Sequence, residues 1–83
     1  MKENDILVLL YLYRQQHTHI GYAQMRVKFS GILSRHKIVG SINALRTAKM
    51  VQQHPKERTF TITALGVSHV IRVMNNVLQA NSF

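Results

Sequence analysis

Residues 6 to 13 read Ile-Leu-Val-Leu-Leu-Tyr-Leu-Tyr, an unbroken apolar run in a chain of 83 residues. A bilayer span needs about 20 such residues, so the run is too short to cross one. Lys2 alone precedes it among bases, Glu3 and Asp5 adjoin it, and no small-residue cleavage site closes it, so it reads as a helix and not as a leader. A helix that is apolar on every side must be covered on every side. A single domain over residues 1–83 buries only about 60–65% of its extended surface. It is therefore expected to cover one side of this helix and to leave the other for a helix of a second subunit. The chain has no Cys, which removes disulfides and thiolate zinc sites as substitutes for packing.

The formal net charge is +8, and beyond Asp5 the only acid is Glu57. The bases Arg14, Arg26, Lys28, Arg35, Lys37, Arg46, Lys49, Lys56, Arg58 and Arg72 are interleaved with apolar residues and do not form a tail. A folded surface of one sign implies an anionic partner: DNA, RNA or an anionic membrane. The bases do not line one helix face opposite bulky apolar residues, so a membrane surface is not the expected partner. Three carboxylates, no nucleophile–base–orienter spacing and no Gly-rich phosphate loop argue against an enzyme. His17, His19, His36, His54 and His69 are dispersed and lack carboxylate or thiolate help, so neither a metal nor another cofactor is expected. The expected location is cytoplasmic, on the nucleoid.

Periodicity predicts a mainly helical, α+β chain. The first helix is expected over about 5–16, capped by Asn4, with Asp5 favouring the positive end of its dipole. A polar break follows from His17 to Gly21, with a very short strand at His19–Ile20. Tyr22, Met25 and Phe29 on successive turns give a second helix over 22–29, ended by Ser30-Gly31. Ile32 and Leu33 are expected to close the turn with apolar contacts. Ser34 caps a third helix over 35–49. Ile38, Ile42 and Leu45 form its apolar stripe, and Arg35, His36, Gly40, Asn43, Arg46 and Thr47 its opposite face, with Val39 beside them. Gly40 costs about 1 kcal/mol against Ala in a helix interior, which close approach to another backbone or to DNA would explain. Residues 50–54 and 58–63 read as a two-stranded hairpin turned at Pro55, with Phe60 and Ile62 on one face. A last helix over about 64–79 starts at a Thr63 cap and carries Val67, Val70, Ile71, Met74, Val77 and Leu78 at helical spacing. Asn81 and Ser82 read as a frayed end.

Three helices, a two-stranded hairpin and a C-terminal helix are the parts of a winged helix-turn-helix domain. A helix fits the major groove and reads base edges from the outer face of its N-terminal half. On that logic Arg35, His36, Val39, Gly40 and Asn43 are the base-reading candidates. Arg26, Lys28, Ser34, Lys37, Arg46 and Thr47 are candidates for the phosphate backbone, and Lys56 and Arg58 for the wing tip. Leu7, Leu10, Tyr11, Val67, Val70, Ile71, Met74 and Leu78 are candidates for a homodimer interface.

The segment from Ser34 to Val51 resembles the recognition helix and first wing strand of MarR, PadR and ArsR-type transcription regulators, with Leu45, Lys49, Met50 and Val51 in the slots of their Leu-x-x-x-Gly-Leu-Val pattern. Phe60-Thr61-Ile62-Thr63-Ala64-Leu65-Gly66 is similar to the aromatic-x-Leu-Thr-x-x-Gly signature that closes the wing. The basic outer face of helix 35–49, the excess apolar surface and this resemblance together lead to the expectation of a small dimeric, sequence-specific regulator of double-stranded DNA, a repressor, with helix 35–49 in the major groove and wing 50–63 on the flanking backbone or minor groove. Lys49 departs from the pattern's helix-ending Gly, so the turn into the wing is expected without a left-handed residue. The chain also lacks the longer dimerisation helices and ligand cleft of MarR proteins, so no small-molecule effector is expected. Two other readings stay open: a sequence-neutral architectural, replication or packaging factor, and a winged helix whose basic face meets an acidic protein.

Overall fold

The apolar run folds as α1 (Glu3–Arg14), earlier at both ends than expected. Lys2, not Asn4, is the N-cap, and the Asp5 carboxylate on the first turn accepts a hydrogen bond from the Lys2 backbone N–H at 3.3 Å. Acids at Glu3 and Asp5 face the positive end of the helix dipole, and Arg14 lies in its last turn. The computed structural model describes residues 1–80, and the expected fraying at Asn81 and Ser82 lies outside them. The remaining elements are β1 (Ile20–Gly21), α2 (Tyr22–Lys28), α3 (Arg35–Thr47), β2 (Val51–Gln53), β3 (Thr59–Ile62) and α4 (Ala64–Ala80).

Val8, Leu9 and Leu12 are the floor of one core that also takes Ile20, Met25, Phe29, Leu33, Ile38, Ile42, Leu45, Val51, Phe60, Ile62 and Val70. Each fully buried large side chain contributes about 1.5–3 kcal/mol. α3 packs on α1 more extensively than any other pair of helices does, and the small Ser41 is buried on the side it turns inward. Leu7, Leu10, Tyr11 and Tyr13 pack partly against the same core, so every apolar residue of the run from Ile6 to Tyr13 is at least half-covered within one chain. α3, α4 and β3 pack on α1, and Phe29 at the end of α2 meets Tyr11, so one chain covers more of this helix than expected, while Leu7, Leu10 and Tyr11 keep part of their surface toward solvent.

Gly21 precedes α2 as its N-cap, and its N–H donates to the Gln24 side-chain oxygen at 2.8 Å. Phe29 is the C-cap, and Gly31 takes the turn at φ +78°. Leu33 is buried, as expected, but Ile32 points outward and is 64% exposed. The cap of α3 is Ser34, whose Oγ accepts from the Lys37 N–H at 3.3 Å.

α3 stops at Thr47, two residues short of the expected end, because Lys49 adopts φ +63°. The Met50 N–H donates to the Leu45 carbonyl and the Lys49 N–H to the Arg46 carbonyl, both at 2.9 Å. This crossed pair is the Schellman closure that usually takes Gly at the left-handed position. The expectation of a turn without a left-handed residue is thus overturned. The side chain at 49 costs about 1–2 kcal/mol in that conformation, and the two hydrogen bonds and the Met50 contact hold it there.

The expected two-stranded hairpin is a three-stranded antiparallel sheet in the order β1-β3-β2. Val51, Gln52 and Gln53 face Ile62, Thr61 and Phe60, while Ile20 and Gly21 pair with Phe60 and Thr59 on the other edge. The short strand lies one residue later than His19–Ile20 and ties the hairpin to the helices through backbone hydrogen bonds. A lone hairpin is marginal in water, and this third strand is the support it gains.

Thr63 caps α4 and also holds the sheet to α3. Its Oγ accepts from the Gly66 N–H at 3.1 Å and donates to the Lys49 carbonyl at 2.7 Å. Gly66 is required by space: a Cβ there would collide with the Met50 carbonyl oxygen and lie 2.6 Å from Ile62 Cγ1. From this anchor α4 runs about 25 Å at 1.5 Å per residue. Its apolar stripe is covered at Val67 and Val70 and open beyond them: Val70 is 2% exposed, whereas Ile71, Met74, Val77 and Leu78 are 45–65% exposed, with Val73 half-buried and Leu65 exposed beside the stripe.

Candidate nucleic-acid interface

α3 buries Ile38, Ser41, Ile42 and Leu45 on one side, which turns a defined line of residues outward. At about 100° per residue, His36, Gly40, Asn43 and Thr47 lie along the line opposite the core. All four are exposed. Arg35 and Arg46 flank this line on one side and Lys37 on the other, so the strip of His36, Gly40, Asn43 and Thr47 runs between positive margins. Val39 lies half-buried at the Arg35–Arg46 margin.

Gly40 leaves a notch in the strip. Among the described residues, no atom outside α3's own local backbone and Gly40's neighbours lies within 4 Å of where its Cβ would be, so close approach of another described element does not explain the glycine. His36, Lys37 and Gly40 share a shallow recess with Lys2, Asn4 and Asp5 at the start of α1. Asn43, Arg46 and Thr47 line a second recess one turn further along. The Thr47 hydroxyl donates back to the Asn43 carbonyl at 2.9 Å, which fixes its rotamer and leaves the Asn43 amide exposed. Ser34 Oγ serves as the helix cap, and its hydroxyl proton remains to donate outward.

The turn between β2 and β3 carries Lys56 and Arg58, both exposed. Its conformation is held by the Lys56 N–H donating to His54 Nδ1 at 3.2 Å and by the His54 N–H donating to the Thr59 carbonyl at 2.9 Å. His19 packs edge-to-face on His54 with ring centroids 4.9 Å apart, a contact across the sheet that the sequence does not announce. Among the described residues, no group of three or more His, Asp or Glu side chains is placed to hold a metal ion.

Arg26 and Lys28, both candidates for the phosphate backbone, lie on different sides of α2, about 200° apart around its axis. Lys28 lies over the Tyr11 ring of α1, its Nζ 5.9 Å from the centroid, and Arg26 lines the opposite flank with Ala23, Val27 and Ser30. The expected dimer set also divides. Val70 is a core residue and Val67 is half-covered by the core, so burial within the chain removes Val70 from any contact with a second one. Leu7, Leu10 and Tyr11 are half-buried beside Phe29 and Lys28. Ile71, Met74 and Leu78 remain exposed, and Val77 joins them.

Arg14 was not among the expected site residues, yet it shares a groove with Lys28. Its signal in the sequence was a lone base closing an apolar run, which also reads as a dipole-compensating residue at a helix end. No helix among the described residues is long and apolar enough to cross a membrane. Compared with protein-family models, curated proteins and solved structures, the chain matches none.

Proposed function

We propose that this chain is a small winged helix-turn-helix protein that binds double-stranded DNA by sequence, and that it regulates transcription by occupying its site, as a repressor. The observation that carries the proposal is the exposed polar line of α3 between its positive margins. α3 enters the major groove with Arg35, His36, Gly40 and Asn43 toward base edges and Val39 at the margin. Arg can make two bonds to guanine, and Asn two to adenine. Ser34, Lys37, Arg46 and Thr47 meet phosphates, and the notch at Gly40 lets the helix backbone sit close to the bases. Lys56 and Arg58 reach the flanking backbone or minor groove from the β2–β3 turn. Arg26 remains a candidate for the backbone, while Lys28 turns toward α1. The work is binding, without chemistry.

The chain acts as a homodimer through the distal part of α4, where Ile71, Met74, Val77 and Leu78 continue an apolar stripe that Val67 and Val70 begin inside the core. A two-fold dimer sets two α3 helices one DNA turn or a multiple apart, and its site is a near-palindrome.

The test is substitution on α3 followed by binding to specific and random duplexes. Arg35→Ala and Asn43→Ala each lower discrimination between sites by about 1–3 kcal/mol, or roughly 5- to 150-fold. Lys37→Ala weakens all duplexes alike and reduces the salt slope by about 1. Unchanged site preference in the Arg35 and Asn43 variants refutes the reading.

A further inference from the structure

A second charged surface lies away from the outward line of α3. Leu7, Leu10 and Tyr11 of α1 and Phe29 at the end of α2 form the floor of a groove of about 280 Å³, with Arg14 and Lys28 on its rim. Tyr11 and Lys28 also bound an adjoining, shallower depression of about 480 Å³ that reaches Ala23 and Val27 on the outer face of α2. Val27 is 79% exposed, a bare isopropyl group beside this depression. Lys28 is held over the Tyr11 ring, so its ammonium overhangs the floor. Among the described residues, no carboxylate lines either depression.

An apolar floor with cations on its rim fits a ligand that is both apolar and acidic. The depressions are open to solvent, whereas small-molecule sites bury some 70–90% of their ligand, so a segment of a macromolecule suits them better. Phosphates gain nothing from Leu7, Leu10 and Val27. A second copy of this chain offers the exposed stripe of α4, but α4 contains no carboxylate, and that stripe would cover the floor and leave Arg14 and Lys28 unpaired. We propose that the α1–α2 groove docks an amphipathic helix of a partner protein, with apolar side chains at i, i+3, i+4 and i+7 on the floor and carboxylates meeting Arg14 and Lys28. Helix-in-groove recognition takes this form. The proposal does not depend on the DNA reading, since it uses none of the α3 residues.

The experiment is selection of a displayed library of random 16-residue peptides on the full chain, with three variants as counter-targets. The enriched peptides are expected to combine Leu, Ile or Phe at helical spacing with an excess of Asp and Glu. They lose at least tenfold in affinity for Arg14→Gln/Lys28→Gln and for Val27→Glu, and keep their affinity for Arg35→Gln/Arg46→Gln. All the substituted side chains are exposed, and an unchanged melting temperature in each variant verifies that the fold is intact. Three results overturn the proposal. One is no enrichment over the groove variants. Another is enrichment of acidic peptides that only the α3 variant loses, which places them on the α3 face. The last is dimerisation of the chain alone that Val27→Glu abolishes, which puts a second copy in the groove.

Discussion

α1 and α4 are both rich in apolar residues, and the fold treats them in opposite ways. α1 is apolar around its whole circumference from Ile6 to Tyr13, yet all of those residues are buried or half-buried, because α3, α4 and β3 pack on it and the end of α2 meets Tyr11. α4 is amphipathic, with one regular stripe, yet that stripe is covered only as far as Val70 and is bare from Ile71 to Leu78. The difference teaches that periodicity identifies the apolar face of a helix but not its cover. An unbroken run signals a central position, and a regular stripe longer than the body it packs on signals a surface for something else.

The largest expected effect lies in α1. Leu9→Ala opens a cavity in the core and costs about 3 kcal/mol. Thermal unfolding followed by circular dichroism shows this as a fall of more than 10 °C, since about 1 kcal/mol corresponds to 4–8 °C in a domain of this size. A small shift would mean that α1 is not central, and the contrast with α4 would collapse.

The next lies where α4 is anchored. Gly66→Ala forces a methyl group against the Met50 carbonyl and costs about 2 kcal/mol, read in the same melt. Lys49→Gly acts at the same junction with the opposite sign. It removes the strain at φ +63° while keeping the carbonyl that Thr63 binds, and raises stability by about 1 kcal/mol. The smallest effect on the folded chain belongs to the bare half of α4. Met74→Gln changes the stability of the monomer by less than about 0.5 kcal/mol. It weakens self-association at least tenfold in sedimentation equilibrium. A large loss of monomer stability would show that the distal stripe is core after all.

Much of this arrangement is legible in the residues themselves. Ser34 and Thr63 are short polar side chains directly before apolar-periodic segments, and both cap as such residues do. Met25, Phe29, Ile38, Ile42 and Leu45 fall inward because their spacing matches the helix period. What escaped reading depends on partners distant in sequence. The very short strand is legible to within one residue, but its pairing with Phe60 and Thr59 is not, because two residues carry no period of their own. The left-handed Lys49 is hidden because lysine carries no turn signal, and its conformation is imposed by hydrogen bonds back to α3 and by Thr63. Lys28 lies over Tyr11 and shares a groove with Arg14 across two helices, which a search for bases on α2 alone does not find. The outward line of α3 was visible from its sequence, since it is the complement of the buried stripe. Gly40 was visible as an anomaly, and the open space around it removes an explanation internal to the chain.

Selection of bound fragments from random and genomic DNA at about 150 mM salt, followed by sequencing, tests the central claim most directly, because non-specific phosphate binding is weak there. The account predicts an enriched inverted repeat with half-site centres about 10–10.5 base pairs, or a multiple of that, apart. Recovery of DNA without an enriched motif, or recovery of none, would contradict it.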